Sequence, residues 1–561
     1  MKTIHFQLEK FPEFWYDIKR ALLTVVANLS VVVRGNFFIS GGKNTMAKYI
    51  FVTGGVVSSL GKGVTASAIG RLLKNRGLKV FMQKFDPYIN VDPGLMDPCE
   101  HGEVFVTDDG AETDLDLGHY ERFIDEPLSQ NSSITTGRVY SAVINRERAG
   151  GYGGVTVQVI PHITNEIKAK LTAAAEDSGA DIIITEIGGT VGDIESLPFL
   201  EAIRQARLDF GYKNTLYIHN TLVPYLQAAN EIKTKPTQRS VKDLMSLGIQ
   251  ADVVVLRTEV EIEDSVKAKI SRFCNVQKEA VIEARDVEVL YELPIRLQEQ
   301  GLDDFILDHF RIDAKAADMK SWNELINTVK NLDGEVKIGI VGDYTELPDA
   351  YFSINEALRH AAYEFGRKAK ISFIDAKHLC ENTAHQLSHL DGIILPYGEE
   401  GQSIDGKLAV IKYARENNIP FFGIGQGMQL MAIEYAKNEA KMAVDEMLTQ
   451  LPTAAINKDG EWRTGAFNTE LKPDSKIAEI YGSTMISERH RHRFSLKTDI
   501  KTDLENAGLE IPGTSAEFGL LEAVELKNHS FFIGVQFHPQ FLSRPQKPHP
   551  LFTEFIKSSI K

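Results

Sequence analysis

Apolar runs of strand length recur along this chain and alternate with stretches that have the pattern of helices. The first series comprises residues 49–53, 78–82, 181–185, 215–218 and 252–256. The second series comprises residues 336–341, 371–374, 392–395, 420–424 and 531–537. Strands that are apolar on both faces are typical of parallel sheets covered by helices on each side. The sequence therefore predicts the α/β class, with two doubly wound domains.

The length of the chain and the gap between the two series set the domain boundaries. A chain of 561 residues is too long for a single compact core. The stretch between the series is charged and has the pattern of a linker with one helix. We predict a first domain at residues 46–312, a linker at 313–334 and a second domain at 335–561.

Residues 1–45 form a predicted N-terminal extension of unknown role. Its apolar stretch, residues 21–33, is too short to span a bilayer. Glu9, Glu13 and Asp17 stand where a secretory leader would be basic. Met46 directly precedes the first predicted strand, which is consistent with a start assigned too far upstream.

The charge balance and the cysteine content limit the partners and the location. The formal net charge is −15, and a general nucleic-acid binder needs a basic face instead. The three cysteines are far apart in sequence and form no metal-ligand pattern. So few cysteines suit a reducing compartment. We therefore expect a cytoplasmic protein that binds neither nucleic acid nor a membrane.

A glycine-rich loop between the first strand and the first helix predicts a phosphate site. Residues 54–63 read GGVVSSLGKG. Backbone N–H groups and a helix N-terminus would face an anion there, and Lys62 would neutralise phosphate charge. The usual loop has Ser or Thr after its lysine to bind Mg²⁺, whereas this one has Gly63. A turn without a ligand is the alternative, and the strand–loop–helix context disfavours it. The first domain is therefore predicted to be P-loop-like.

Carboxylates elsewhere in the first half are candidate metal ligands. Residues 107–116 contain five acidic side chains, and Glu186 lies at the end of an apolar strand. In open α/β sheets, ligands bind beyond the carboxyl ends of the strands. Taken alone, residues 107–116 are more typical of a solvated loop, so Glu186 is the stronger candidate.

Residues 48–310 resemble the amidoligase domain of the CTP synthase family. Eight segments carry the resemblance: residues 54–63, 83–88, 90–94, 101–106, 108–123, 156–162, 188–196 and 233–238. The resemblance implies that ATP phosphorylates the 4-oxygen of UTP and that ammonia then displaces the phosphate to give CTP. It also implies Lys62 and Lys84 as catalytic groups, and Asp116 and Glu186 as Mg²⁺ ligands.

The resemblance also implies two nucleotide sites. The residues matching the ATP site are Ser59, Leu60, Gly61, Lys62, Gly63, Val64, Asp116, Arg285, Asp286 and Val287. The residues matching the site for UTP and CTP are Ser58, Gln158, Asp193, Ile194, Glu195, Lys233, Thr234, Lys235, Pro236, Thr237, Gln238 and Lys269. The resemblance further implies feedback inhibition by CTP and a homotetramer with UTP sites between subunits.

The second half resembles a class I glutamine amidotransferase domain, on residues 346–351, 486–493 and 534–539. Such a domain needs a cysteine on a sharp strand-to-helix turn, in the pattern Gly-Ile-Cys-Leu-Gly-Met-Gln. Residues 423–429 read Gly-Ile-Gly-Gln-Gly-Met-Gln, so Gly425 stands at the nucleophile position. The second domain is therefore predicted to keep its architecture and to lack glutaminase activity.

Further positions of the glutaminase site have changed as well. The general base His538 remains, but Gln540 replaces the glutamate that would orient it. The oxyanion loop keeps only Gly398 and gains Glu399 and Glu400, and Thr449 lies in the segment that binds glutamine in the family. Two acids near a developing oxyanion oppose acyl transfer.

Two changes bear on the coupling of the halves. Residues 146–154, which match a family segment linking glutaminase to synthase, have gained glycines. Asp343 replaces a family lysine near the interdomain GTP region, which argues against GTP activation.

Two hypotheses from different classes follow. The leading one is an enzyme that makes CTP from UTP, ATP and free ammonia, with Mg²⁺. The alternative is a non-catalytic paralogue that binds nucleotides and co-assembles with an active CTP synthase. The intact phosphate and carboxylate residues favour the enzyme, because a pure scaffold has no need of them. A working glutaminase with a relocated nucleophile is the least favoured reading.

Overall fold

The computed structural model describes residues 46–57, 60–380, 384–398, 401–444 and 447–560. Residues from Ala47 onward form one compact unit. The predicted N-terminal extension lies outside the described residues.

The first half is built on a seven-stranded parallel sheet, in the order β11-β10-β7-β1-β6-β2-β5. Its strands in chain order are β1 (Lys48–Gly54), β2 (Val80–Asp86), β5 (Ser133–Thr135), β6 (Ile182–Ile187), β7 (Thr215–Leu222), β10 (Val253–Thr258) and β11 (Val281–Arg285). Two small antiparallel pairs accompany the sheet: β3 (Phe105–Val106) with β4 (Glu112–Thr113), and β8 (Tyr225–Leu226) with β9 (Glu231–Ile232).

Helices cover both faces of this sheet. They are α1 (Lys62–Asn75), α2 (Pro98–His101), α3 (Asp116–Ile124), α4 (Thr136–Arg148), α5 (Thr164–Ser178), α6 (Leu197–Phe210), α7 (Lys235–Ser246), α8 (Asp264–Cys274), α9 (Leu293–Glu299), α10 (Leu302–Phe310) and α11 (Lys320–Lys330). Side chains alternate between the faces along β1: Ile50 and Val52 belong to one core, and Tyr49 and Phe51 to the other. The apolar strand runs therefore reflect burial on both sides.

The second half has a nine-stranded mixed sheet, in the order β13-β12-β14-β15-β22-β21-β20-β17-β18. Its parallel strands are β12 (Glu335–Gly342), β13 (Lys368–Asp375), β14 (Gly392–Leu395), β15 (Phe421–Ile424) and β22 (Phe532–Val535). An antiparallel extension adds β17 (Arg463–Leu471), β18 (Met485–His492), β20 (Glu510–Ser515) and β21 (Leu521–Glu525). A separate pair joins β16 (Leu448–Gln450) to β19 (Phe494–Leu496).

The helices of the second half are α12 (Phe352–Glu364), α13 (Ile404–Glu416), α14 (Gln426–Tyr435), α15 (Lys476–Tyr481), α16 (Lys501–Ala507) and α17 (Pro550–Ser559). Two apolar cores flank the parallel strands, as in the first half. The predicted class, α/β with two doubly wound halves, is confirmed. The antiparallel extension was not predicted.

The predicted linker contains its one helix, α11, and this helix packs into the core of the first half. Trp322 is fully buried there, and its indole N–H donates to the carbonyl of Tyr291 at 2.6 Å. The connection between the halves is therefore packed and not a loose tether.

A buried ionic cluster joins the two halves. The carboxylate of Glu121 on α3 accepts two hydrogen bonds from Arg489 of the second half, both at 3.0 Å. It also accepts one from Arg544 at 2.6 Å. Glu121 and Arg489 are fully buried, and Arg544 is nearly so. The first half thus supplies one carboxylate to two guanidinium groups of the second.

Among the described residues, no helix is both long enough and apolar enough to cross a bilayer.

Candidate active site

The phosphate loop has the predicted strand–loop–helix setting. It runs from the end of β1 to Lys62, the first residue of α1, and Gly61 has a φ of +84° at the helix start. The Lys62 ammonium donates to the carbonyl of Gly189 at 2.6 Å. Burial lowers the pKa of Lys62, against the opposing effect of nearby Glu186. Ser58 and Ser59 lie outside the described residues.

A buried lysine and three carboxylates meet at the carboxyl ends of β2 and β6. Lys84 contacts Asp116 directly, and its ammonium lies 3.5 Å from Asp86 and 3.9 Å from Glu186. Lys84 and Glu186 are opposite each other in the parallel pairing of β2 with β6. The structure therefore brings together the four residues predicted for catalysis and metal binding, since Lys62 also lies close to Glu186 and Asp116.

Burial and the charges within the cluster shift the pKa values of its side chains. Burial favours the neutral form of Asp116, but Lys84 holds the pKa of that carboxyl below its usual range. Burial raises the pKa of Glu186, with Lys84 opposing the rise. Burial likewise raises the pKa of Asp86 to about 7. The Tyr120 hydroxyl donates to Glu186, and burial keeps the pKa of Tyr120 well above its ordinary value.

The position of Gly63 explains why the loop departs from the usual phosphate-loop pattern. A Cβ atom at Gly63 would lie 2.7 Å from Asp116 Oδ1 and 3.1 Å from Glu186 Oε2. The two carboxylates therefore occupy the space that a serine or threonine would need. This donor set fits Mg²⁺, which binds proteins through one or two carboxylates and completes its shell with water and substrate phosphates. The described residues contain no group of three or more potential ligands that would make a protein-only metal cage.

If the chain has the activity that the resemblance implies, replacing Gly63 with serine is expected to lower CTP formation by about 100-fold or more, because it displaces both carboxylates from the loop. The measurement is the rate of CTP formation from UTP and ATP with a nitrogen source in excess. Gly77→Ser is the control, since Gly77 has a φ of +88° and open space around it at the other end of α1. A Gly63→Ser variant as active as this control would contradict the carboxylate packing.

A cavity of about 330 Å³ adjoins the phosphate loop. Its lining includes Leu60, Gly61 and Val64 from the loop and helix α1, together with Arg285 at the end of β11 and Asp286 and Val287 just after it. Asp286 is held by an ion pair with Arg257 at 3.1 Å. The described part of the predicted ATP site is thus gathered around one cavity and the carboxylate cluster.

The residues predicted for UTP lie mostly at the surface. The exposed ones are Gln158, Asp193, Ile194, Glu195, Lys235 and Lys269. Lys233 is half-buried and pairs with Glu231, and Pro236 is half-buried beside it. Thr234, Thr237 and Gln238 are buried, and their described hydrogen bonds are local to α7 and β7.

The strand-to-helix turn of the second half keeps its sharp geometry without a side chain. Gly425 lies between β15 and α14 with φ +61° and ψ −112°. A Cβ atom there would lie 3.6 Å from Cε1 and 3.7 Å from Nε2 of His538. The turn opens into a cavity of about 1210 Å³ whose described lining includes Thr449 and contains no cysteine.

The imidazole of His538 has a neutral partner. Gln540 Nε2 lies 3.0 Å from His538 Nδ1, and both side chains are buried. Burial, together with the charge of Arg491, lowers the pKa of His538 to about 3. Because a neutral amide stands where the family has a carboxylate, Gln540 cannot stabilise the protonated imidazole that a general base must form.

An ion pair that the sequence did not reveal stands beside the altered oxyanion loop. The Lys407 ammonium lies 2.6 Å from Asp343 Oδ2 and 2.8 Å from Gln426 Oε1. A Cβ atom at Gly398 would lie 2.3 Å from the same Asp343 oxygen. Glu399 and Glu400 lie outside the described residues. The sequence did not predict a role for Lys407 because its partners, Asp343 and Gln426, are not close to it along the chain.

Two family models match the chain. One is described as "CTP synthase N-terminus" and covers residues 48–312, and the other as "Glutamine amidotransferase class-I" and covers residues 346–558. Among curated proteins, the CTP synthase of Halalkalibacterium halodurans is 54% identical over 528 residues. The CTP synthase of Bacillus subtilis is 53% identical over 530 residues. Each alignment covers 92% of this chain and 99% of the relative.

Among solved structures, the chain is similar to the glutaminase domain of Trypanosoma brucei CTPS with bound acivicin. The identity is 32%, the alignment covers 40% of this chain and 93% of that one, and the TM-score is 0.37.

Proposed function

The chain belongs to the CTP synthase family, and from this premise we propose that it makes CTP with free ammonia because its second half no longer hydrolyses glutamine. Its substrates are then UTP, ATP and ammonia.

The first half supports ATP-dependent phosphorylation of UTP. Lys62 and Lys84 would neutralise the transferring phosphoryl group, since electrostatic stabilisation dominates such reactions. Asp116 and Glu186 would hold Mg²⁺, which supplies charge neutralisation on the ATP phosphates when it is bound. The cavity beside Arg285, Asp286 and Val287 would hold the adenine base. The burial of Lys84 among carboxylates keeps its charge in a site from which bulk water is largely excluded.

The observation that carries the loss of glutaminase activity is Gly425. A glutamine amide is attacked by a thiolate, and Gly425 offers no nucleophilic atom at the turn. The pairing of His538 with Gln540 supports the same conclusion, because a neutral amide cannot stabilise an imidazolium ion. The ion pair of Asp343 with Lys407 beside Gly398 further remodels the oxyanion loop.

The second half then serves as a scaffold. The buried cluster of Glu121, Arg489 and Arg544 supports this role, because it ties the halves together independently of any glutamine chemistry. We also propose a homotetramer in which neighbouring chains complete the UTP site. The exposure of Gln158, Ile194 and Lys269 on a single chain supports it. CTP, as product, would act as a feedback inhibitor.

GTP activation is proposed to be absent or weak. Asp343 is acidic where the family has a lysine, and its carboxylate is paired with Lys407. It therefore offers no cationic contact to a guanine nucleotide.

The proposal is tested by supplying UTP, ATP and Mg²⁺ with either ammonium chloride or glutamine, and by measuring both CTP and glutamate. We expect CTP with ammonium, and neither CTP nor glutamate above background with glutamine. Protein carrying Lys84→Met, purified in parallel, shows whether a contaminating CTP synthase contributes. CTP from neither nitrogen source would favour the non-catalytic paralogue, and glutamate release would contradict the loss of the glutaminase.

Restoring the glutaminase should need two substitutions together. In Gly425→Cys alone the thiol faces a base without its carboxylate, a defect that costs about 10⁴-fold in a comparable triad. The double variant Gly425→Cys/Gln540→Glu is expected to release glutamate from glutamine, although the altered oxyanion loop would still lower the rate by about 10²–10³-fold. Glutamate release is the measurement.

Gly366→Cys is the matched control, since Gly366 has a φ of +63°, close to the +61° of Gly425, and open space around it. This variant carries a thiol at a similar backbone conformation but away from His538. Any glutamate that it releases would therefore come from an unassisted thiol and not from the restored site. Equal rates for Gly425→Cys and the double variant would contradict the role assigned to Gln540.

A further inference from the structure

The two oxygens of the Glu186 carboxylate have different surroundings. Oε2 accepts a hydrogen bond from the Tyr120 hydroxyl, while Oε1 lies 3.9 Å from the Lys84 ammonium. A hydrogen bond to one oxygen restricts the rotation of a carboxylate and so limits the directions in which its other oxygen can point. Glu186 is 3% exposed, so water has little access to reorient it. Of these two contacts, the one from Tyr120 is made by a neutral hydroxyl and the one from Lys84 by an ammonium group.

Tyr120 lies on the same helix as the other carboxylate of the cluster. Helix α3 begins at Asp116, and residues four apart lie on the same face of a helix. The Tyr120 ring has no exposed surface and belongs to the core that also contains Leu117 and Ile184. One rigid element therefore carries Asp116 and also the group that orients Glu186.

We infer that Tyr120 is a positioning residue for the divalent cation of the ATP site: its hydroxyl fixes the Glu186 carboxylate so that it and Asp116 present their oxygens to one ion. The inference rests on the proposed assignment of Asp116 and Glu186 as metal ligands. Groups that hydrogen-bond to metal ligands typically contribute about 10–100-fold to metal affinity or activity. Tyr120 itself does not touch the ion or the substrates.

The test is Tyr120→Phe, which removes one oxygen atom and keeps the ring. Binding of Mn²⁺ to the full-length protein, in the presence of a non-hydrolysable ATP analogue, is measured from the electron paramagnetic resonance signal of free Mn²⁺. We expect the dissociation constant for Mn²⁺ to rise by about 10-fold or more. In the CTP assay, the Mg²⁺ concentration for half-maximal rate should rise by a similar factor, while the KM for UTP stays unchanged.

Tyr217→Phe is the matched control. Tyr217 is also a buried tyrosine of the first half, and its hydroxyl donates to the carbonyl of Ile203 at 2.6 Å. Its loss removes a buried hydrogen bond from a tyrosine hydroxyl, here to a backbone carbonyl, without touching Glu186. Both variants should therefore show similar melting temperatures without ligand, but only Tyr120→Phe should lose Mn²⁺ affinity.

An unchanged Mn²⁺ affinity in Tyr120→Phe would overturn the inference, and so would an equal loss in Tyr217→Phe. The binding readout also separates this inference from the proposed function. If the wild-type protein binds Mn²⁺ with the ATP analogue but makes no CTP from ammonium, the proposed synthesis fails. A selective loss of Mn²⁺ affinity in Tyr120→Phe would still support the role of Tyr120.

Discussion

Replacing Lys84 with methionine is expected to lower CTP formation from ammonium by about 10³-fold or more, the scale on which cationic groups act in phosphoryl transfer. Lys84 is 5% exposed and touches Asp116, with Asp86 and Glu186 within 4 Å. Its charge therefore acts where solvent cannot replace it. The measurement is the initial rate of CTP formation with saturating UTP, ATP and Mg²⁺.

The same substitution leaves buried carboxylates without their cation. Removing one partner of a buried ionic group costs about 3–5 kcal/mol, so Lys84→Met is also expected to lower the free energy of unfolding. Lys84→Arg keeps a positive charge beside the carboxylates, so it should lose less stability than Lys84→Met and still lose activity because the larger guanidinium displaces the charge. Activity within 10-fold of wild type in a folded Lys84→Met variant would contradict a catalytic role.

Lys79→Met is the matched control for this experiment. Lys79 directly precedes β2, and its side chain is exposed and donates to the carbonyl of Ser178. The substitution removes the same side-chain charge from the same part of the chain. CTP formation and the free energy of unfolding should both stay close to the wild-type values.

Replacing Glu121 with glutamine is expected to lower the free energy of unfolding by about 3–5 kcal/mol. The glutamine keeps the size of the side chain but removes the charge shared by Arg489 and Arg544. Asp108 lies 2.6 Å from Arg489, but Asp125 is 3.8 Å from Arg544, so Arg544 would lose its closest counter-ion. Urea unfolding of the purified protein measures the change.

Glu126→Gln provides the comparison for this prediction. Glu126 is five residues further on and pairs with Lys74 at 2.8 Å, but its side chain is 55% exposed. Exposed ion pairs contribute about 0–1 kcal/mol, so this variant should unfold almost as the wild type does. If both variants lose the same stability, the buried cluster does not hold the halves together in the way that we describe.

The sequence predicted the central strands well because they are buried on both faces. β1, β6 and β12 all coincide with predicted apolar runs, within a few residues at their ends. β5 has three residues and lies at the edge of its sheet, so pairing with β2 defines it more than its own pattern does. The antiparallel strands β17 to β21 were missed because polar and charged residues interrupt their apolar pattern.

Some features of the candidate site were likewise predictable from the sequence and others were not. Local motifs predicted the phosphate loop, and the resemblance predicted which lysines and carboxylates accompany it. The reason for Gly63 emerged only when the fold placed Asp116 and Glu186 against the loop. The pairing of Asp343 with Lys407, and that of Glu121 with two arginines, join residues far apart in sequence, so no local pattern could reveal them.

The bare turn at Gly425 has a pharmacological consequence. Electrophilic glutamine analogues inactivate glutamine-dependent enzymes by alkylating the nucleophilic thiol. Here the turn presents only hydrogen, and the nearby imidazole is a weak base. We expect such compounds to leave the turn unmodified, so that CTP formation by this protein would be insensitive to them and would depend instead on the supply of ammonium.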